Sequence, residues 1–404
     1  MVAALAVTTG LAAWSFSEAG GLWQESARQE TARMGAAEED ARTVYGDEAP
    51  QAFQLAALEA RAAGLVPAMA RGGSAWAEHA IAADSAFALR GAASRLGPDN
   101  LTTTLYALDD GGYDLPRRLA NVRAAHPALR DLDPDVPRAR ADRFAGRGRG
   151  FALAGVVLGL LALLSAFTRH RRLDVPRSAE SATDLFPQPL LEPAGRRTAA
   201  AVAVLAWASL VILPSAQLIA AGEEQQAQAA AARQATRLAA SIIVSGQRTA
   251  FTTTSRLTVL RESIKADARE LASLNAVEPK EAGRQAALAT AERGIVSRLE
   301  RVADVMGRLP TAAGGVDPVI AAALRSGEAD WKRMGEEQRR QVGISEDASG
   351  RGLLLTIATA LAALTTAAAA AAMKGTDGRR RPRVRIALAM LALTLLVSAA
   401  PFLP

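Results

Sequence analysis

Four uncharged apolar runs dominate the chain: Phe151–Thr168, Thr198–Ala221, Leu353–Met373 and Ile386–Pro404. A helix needs about 20 mostly apolar residues to cross roughly 30 Å of hydrocarbon. A chain carrying four such runs cannot fold as one soluble core. A fifth run, Val2–Phe16, is shorter and ends at Ser17-Glu18. It lacks the basic flank of a secretory signal, so it reads as a retained first span rather than a cleaved leader, with a true start upstream of Met1. The expected fold class is all-α, a polytopic membrane protein of about five transmembrane helices.

Charge gives the direction. The segment 18–150 carries 16 basic against 19 acidic residues, and 222–352 carries 19 against 17. The short loops are richer in base: 169–197 has 6 against 4, and 374–385 has 6 against 1. Lys and Arg near span ends stay on the cytoplasmic side. Both short loops are therefore expected inside, and the long segments 17–150 and 222–352 outside. Two spans separate the basic loops, which returns the chain to the same side. The pI near 10.2 is then a topology signal, and no nucleic-acid partner is expected. The expected partners are the lipid bilayer and other membrane or envelope proteins, with a homo-oligomer open.

The order span, long segment, span, basic loop occurs twice, which predicts a tandem duplication with two extracytoplasmic helical domains. Short stretches repeat too: Ala27-Arg28-Gln29 with Ala232-Arg233-Gln234, and Gly148-Arg149-Gly150 with Gly350-Arg351-Gly352. In the second long segment Leu257, Leu260, Ile264, Leu271 and Leu274 keep a 3-4 spacing, as do Ile295, Leu299, Val302, Met306 and Leu309. Both read as core seams of an antiparallel bundle. The length mismatch between 222–275 and 280–309 predicts a break at Ser245-Gly246. Glu278-Pro279, and Pro310 with Gly314-Gly315, end helices; Asp317-Pro318 starts one. In the first long segment, 18–45, 51–71 and 74–95 read as helices broken at Asp47–Pro50 and Gly72-Gly73, with Pro67 shortening the second. A short helix is expected around Pro116–Ala125, with loops at Asp109–Gly112 and Asp131–Pro137.

Chemistry is sparse. The chain has no cysteine and three scattered histidines, which removes disulfides, thiolate catalysis and Cys- or His-based metal clusters. The loop Asp131-Leu132-Asp133-Pro134-Asp135 places oxygens at alternate positions, with Asp142 twelfth, as a calcium loop would. Val136 stands where that loop needs glycine, so solvated turns with surface ion pairs are the expectation. There is no phosphate-cradling GxxxxGK[ST] loop and no GxSxG elbow. Ser263 and Lys265 lie on different helix faces. Asn100-Leu101-Thr102 matches a glycosylation acceptor. The spans hold no Asp, Glu, Lys, Arg or His; Pro214 and Gln217 are their notable polar or kinking features. No catalytic, cofactor-binding or metal residue is assigned, and no cofactor is expected.

One helical segment between two spans resembles, in layout, the input regions of bacterial chemoreceptors and sensor kinases; no motif carries a family. The expectation is a non-enzymatic protein of the bacterial cell envelope that senses, binds or scaffolds. An accessory or permease-like transport component is the alternative. The inner loops are too short to fold into a kinase or cyclase, so an inward signal would pass through a partner.

Overall fold

The computed structural model describes residues 2–93, 100–109, 111–172, 194–307, 318–374 and 377–400. These residues form ten α-helices and no strand: α1 (Val2–Ala41), α2 (Ala49–Met69), α3 (Ala75–Ala93), α4 (Leu115–Ala125), α5 (Pro127–Asp131), α6 (Asp135–Arg172), α7 (Ala194–Asn275), α8 (Pro279–Met306), α9 (Pro318–Lys374) and α10 (Asp377–Ala399). A π-helical stretch, Arg42–Glu48, joins α1 to α2. Most of the loop 169–197, the helix stop at Pro310 and Gly314-Gly315, the cap at Asp317 and the end of the last run at 401–404 lie outside the described residues.

Among the described residues four helices are long and apolar enough to cross a membrane: α6, α7, α9 and α10. The start of α1, expected as a first span, is not among them. Its apolar run falls short of the roughly 20 residues required and passes straight into Ser17 and Glu18.

The chain divides into two compact units. The apolar unit comprises Met1–Arg28, Asp133–Arg233 and Glu337–Pro404. Within it α1 and α6 run antiparallel: position 155 lies beside Thr8, position 148 beside Phe16, and the Trp23 indole donates to Asp142 at 3.1 Å. By contrast α1 and α7 run parallel, with Phe16 against position 222 and Arg233 donating to the Ser26 hydroxyl at 3.1 Å. A side chain at either Gly148 or Gly222 would press on the Phe16 ring. These glycines let the three helices close around one aromatic. Helix α9 opposes α7: Gln217 donates to Thr356 and Thr359 at 3.2 and 3.1 Å, and Arg351 pairs with Glu223. Helix α10 opposes α9, through Thr394 near Thr365 and Leu391 packed with Ala369. The outward faces carry bare Leu153, Leu164, Leu353, Leu364, Ile386 and Leu396. The expected loop 374–385 is largely helix, since α9 runs through Lys374 and α10 begins at Asp377.

The polar unit comprises Gln29–Leu132 and Gln234–Glu336. Both long segments therefore contribute to one compact body, where the layout predicted a separate domain from each. The reason is a shared core. Val44, Tyr45, Phe53 and Leu65 from the first segment bury with Phe251, Ile295, Leu299 and Met306 from the second. Phe53 and Phe251 meet edge to face at 6.4 Å, a favoured geometry for aromatic pairs. Helix α2 packs on α3 and α8. Gly64 permits that approach, because a side chain there would collide with Ile295. Burying each large aliphatic here is worth about 1.5–3 kcal/mol.

Two expectations are overturned here. Ile295, Leu299, Val302 and Met306 of the α8 seam are buried, with Leu309 outside the described residues, but Leu257, Leu260, Ile264, Leu271 and Leu274 are exposed, Leu274 by 76%. Helix α7 instead buries Phe251, Thr252, Ser255, Val259 and Ala266. The break at Ser245-Gly246 is also absent, since α7 continues unbroken for 82 residues, about 120 Å at 1.5 Å per residue. One glycine costs a helix only about 1 kcal/mol, which the flanking Ala, Ile and Val turns offset. The stops at Gly72-Gly73, both at positive φ, and at Glu278-Pro279 are present. Pro67 sits inside α2 near its end.

A cluster of charges ties α2, α3, α7 and α8 together. Glu292 is fully buried, with one oxygen 3.0 Å from Lys265 and 3.4 Å from Arg61. Arg61 also meets Glu78 at 2.9 Å and Glu262 at 3.2 Å, and Arg269 holds the other Glu78 oxygen at 2.9 Å. Three acids face three bases. Burial would raise the Glu78 carboxyl, but the Arg61 hydrogen bond and the charge of Arg269, helped by Ser74 and Lys265, hold it below its ordinary value. Elsewhere Glu48 accepts from Arg118 at 2.9 and 2.7 Å and from the Leu101 amide at 3.0 Å, which pins the loop after α3 to the π-helical stretch.

Candidate binding cleft

The polar unit holds a cleft of about 650 Å³, within the range of small-molecule sites. Its walls come from helical spacing. Arg237, Ala240, Ser241, Val244 and Arg248 lie on one face of α7, and Gly327, Asp330, Trp331 and Met334 on one face of α9. Met34 and Ala37 of α1, Leu119 and Arg123 of α4 and Leu129 of α5 complete it, with Tyr45 at its side. Asp114 places α4, since its carboxylate caps the helix by accepting from the Arg117 amide at 3.1 Å. His126 ends that helix and bonds Asp40 through Nδ1 at 2.9 Å. The π-helical turn buries Tyr45, which a regular helix would rotate elsewhere.

Electrostatically the cleft is positive. Arg237 is held by Glu30 through two bonds of 2.5 and 3.0 Å, and the exposed Asp330 is paired with Arg333. Burial pushes the Tyr45 phenol up from its ordinary value, against the opposing charges of Arg248 and Arg123. Tyr45 is therefore a neutral donor at physiological pH. The Ser241 hydroxyl donates to the Leu238 carbonyl at 2.9 Å. Arg123 Nε is buried without a hydrogen-bond partner among the described residues. A set of this kind, cationic and apolar together, suits holding an anion.

The acidic loop is drawn apart. Asp131 pairs with Arg130 at 2.7 Å, Asp133 accepts from the Asp135 amide at 3.0 Å, and Asp135 lies 4.0 Å from Arg233. Asp142 receives Trp23 and Gln226. Among the described residues no group of three potential ligands is placed to hold a metal ion. Asn100 of the glycosylation pattern is buried, its amide donating to the Ala93 carbonyl and its oxygen accepting from Thr102. Lys265 faces Glu292 and Glu262 instead of a serine.

Of the cleft residues, the sequence analysis singled out Ser245 alone, and that as part of an expected helix break and not as a site. The 237, 240, 241, 244, 248 spacing, basic at both ends with small or apolar side chains between, was the available signal. Comparison with known proteins finds no matching family model, no matching curated protein and no matching solved structure.

Proposed function

We propose that the chain is a non-enzymatic integral membrane protein of the cell envelope whose two long helical segments face outward and form one ligand- or partner-binding body. The observation that carries this reading is helix direction. In the apolar unit α1, α7 and α10 point one way and α6 and α9 the other. The segments that follow α1 and α7 thus leave the bundle at the same end. The ends of α6 and α9 and the starts of α7 and α10, which carry the basic stretches 169–197 and 374–385 in sequence, lie at the opposite end, which the positive-inside rule would keep in the cytosol. Bare leucines on α6, α9 and α10 supply the lipid-facing surface. The paired layout 17–150 and 222–352 fits a tandem duplication whose halves share one core.

The chain has no cysteine, so single introduced thiols report sidedness cleanly. With a membrane-impermeant maleimide on intact cells, Val277→Cys is labelled at once and Asp184→Cys only after permeabilisation. The reverse pattern, or a full-length chain that stays dissolved without detergent, overturns the reading.

A further inference from the structure

We propose that the cleft walled by α1, α4, α7 and α9 in the polar unit binds a small organic anion: a carboxylate, sulfonate or phosphate head on an aromatic or branched apolar body. The inference deepens the reading above and rests on it for biological meaning, while the binding itself is independent of which side the unit occupies.

The head group follows from charge. The cleft lining carries Arg123, Arg237 and Arg248 with one acid, Asp330; Glu30 paired with Arg237 and Arg333 paired with Asp330 offset each other, which leaves the lining net positive. Arg123, Arg248 and the Tyr45 phenol all line this one cleft. Guanidinium forks match planar or tetrahedral oxyanions by paired, charge-assisted hydrogen bonds.

The body follows from the remaining wall. Trp331, Met34, Met334, Leu119 and Val244 give a flat ring, two adaptable thioethers and branched aliphatics. A quaternary ammonium could use Trp331 and Tyr45 as an aromatic cage, but the arginines repel it. A bare inorganic ion would leave most of the 650 Å³ unfilled.

The test uses the full chain in phosphatidylcholine nanodiscs and isothermal titration calorimetry. The probes are 1-naphthoate, its neutral analogue 1-naphthalenemethanol, and acetate. Naphthoate is expected to bind saturably at one site, with the alcohol and acetate each weaker by about tenfold or more. Arg123→Gln and Arg248→Gln each weaken naphthoate by about five- to tenfold. Ala37→Trp, which fills the cleft without touching a charge, abolishes binding. Melting by circular dichroism shows which variants fold; should an arginine variant unfold, Ala37→Trp decides. The proposal is overturned by alcohol binding as tight as naphthoate, by naphthoate binding indifferent to Ala37→Trp, or by no saturable naphthoate binding. Loss of naphthoate binding when phosphatidylglycerol replaces phosphatidylcholine assigns the site to a lipid headgroup and overturns the soluble anion. A reversed labelling pattern alongside intact binding sinks the topology alone.

Discussion

Removing Lys265 from the charge cluster is predicted to harm the protein more than removing its partner Glu292. Glu292 is completely buried, whereas the Lys265 side chain keeps a third of its surface in water. At an effective dielectric near 20, the 3.0 Å contact between them is worth about 5 kcal/mol of attraction, set against several kcal/mol of desolvation per ion. Lys265→Met leaves the carboxylate buried, with only Arg61 at 3.4 Å, and Arg61 is already shared with Glu78 and Glu262. Breaking a buried pair this way costs about 3–5 kcal/mol; the partial exposure of Lys265 brings the expectation to about 2–3 kcal/mol. Glu292→Leu leaves a lysine that can reach water and Glu262, at a cost of about 1 kcal/mol. The double variant removes the stranded carboxylate and is expected to recover at least about 1 kcal/mol over Lys265→Met. For a unit of roughly 200 residues each kcal/mol moves the melting temperature by about 2–4 °C. Thermal melts of the full chain in detergent, followed by circular dichroism, read all three. Equal single-variant losses that simply add in the double variant would falsify the claim that Glu292 is a buried charge dependent on Lys265.

Three further outcomes are expected. Burial, then the charge of Glu59, outweighs Arg90 and pushes the Tyr113 phenol up to about 12. Its neutral form therefore stabilises the fold fully below the unfolded value of about 10, and that stability drains away as pH rises from there towards 12; denaturant melts across that window should show the loss, and Tyr113→Phe should flatten it. Leu260→Asp, on the exposed face of α7, should change stability by less than about 0.5 kcal/mol, while Leu299→Asp in the core of α8 should unfold the polar unit; similar losses in urea titrations would contradict the burial assigned to these faces. Arg118→Lys keeps the charge but loses the forked contact with Glu48, so a drop of about 1–2 kcal/mol and faster amide exchange at Leu101 are expected; unchanged exchange would show that Glu48 holds that loop unaided.

The membrane-scale features were legible because they are local. Runs such as Thr198–Ala221 and Leu353–Met373 declare themselves by composition, and the turns at Gly72-Gly73 and Pro279 by backbone chemistry. The cleft was not legible. Tyr45, Arg123, Arg248 and Trp331 lie far apart in the chain, and no short-range pattern joins a π-helical turn to the middle of α7.

Two seams of the same spacing make the division plain. Leu257, Leu260, Ile264, Leu271 and Leu274 read like Ile295, Leu299, Val302 and Met306, because periodicity says only that a helix has an apolar face. Whether that face is covered depends on another helix arriving at the right distance, and Gly64 lets α2 close over Ile295 on α8. Helix α7 turns Phe251 and Val259 inward instead, leaving its leucine stripe open. Hydropathy and charge, which add up along the chain, determined the helices and the apolar runs; close packing, which depends on every neighbour at once, decided which faces became core and which arginines came to share a cleft.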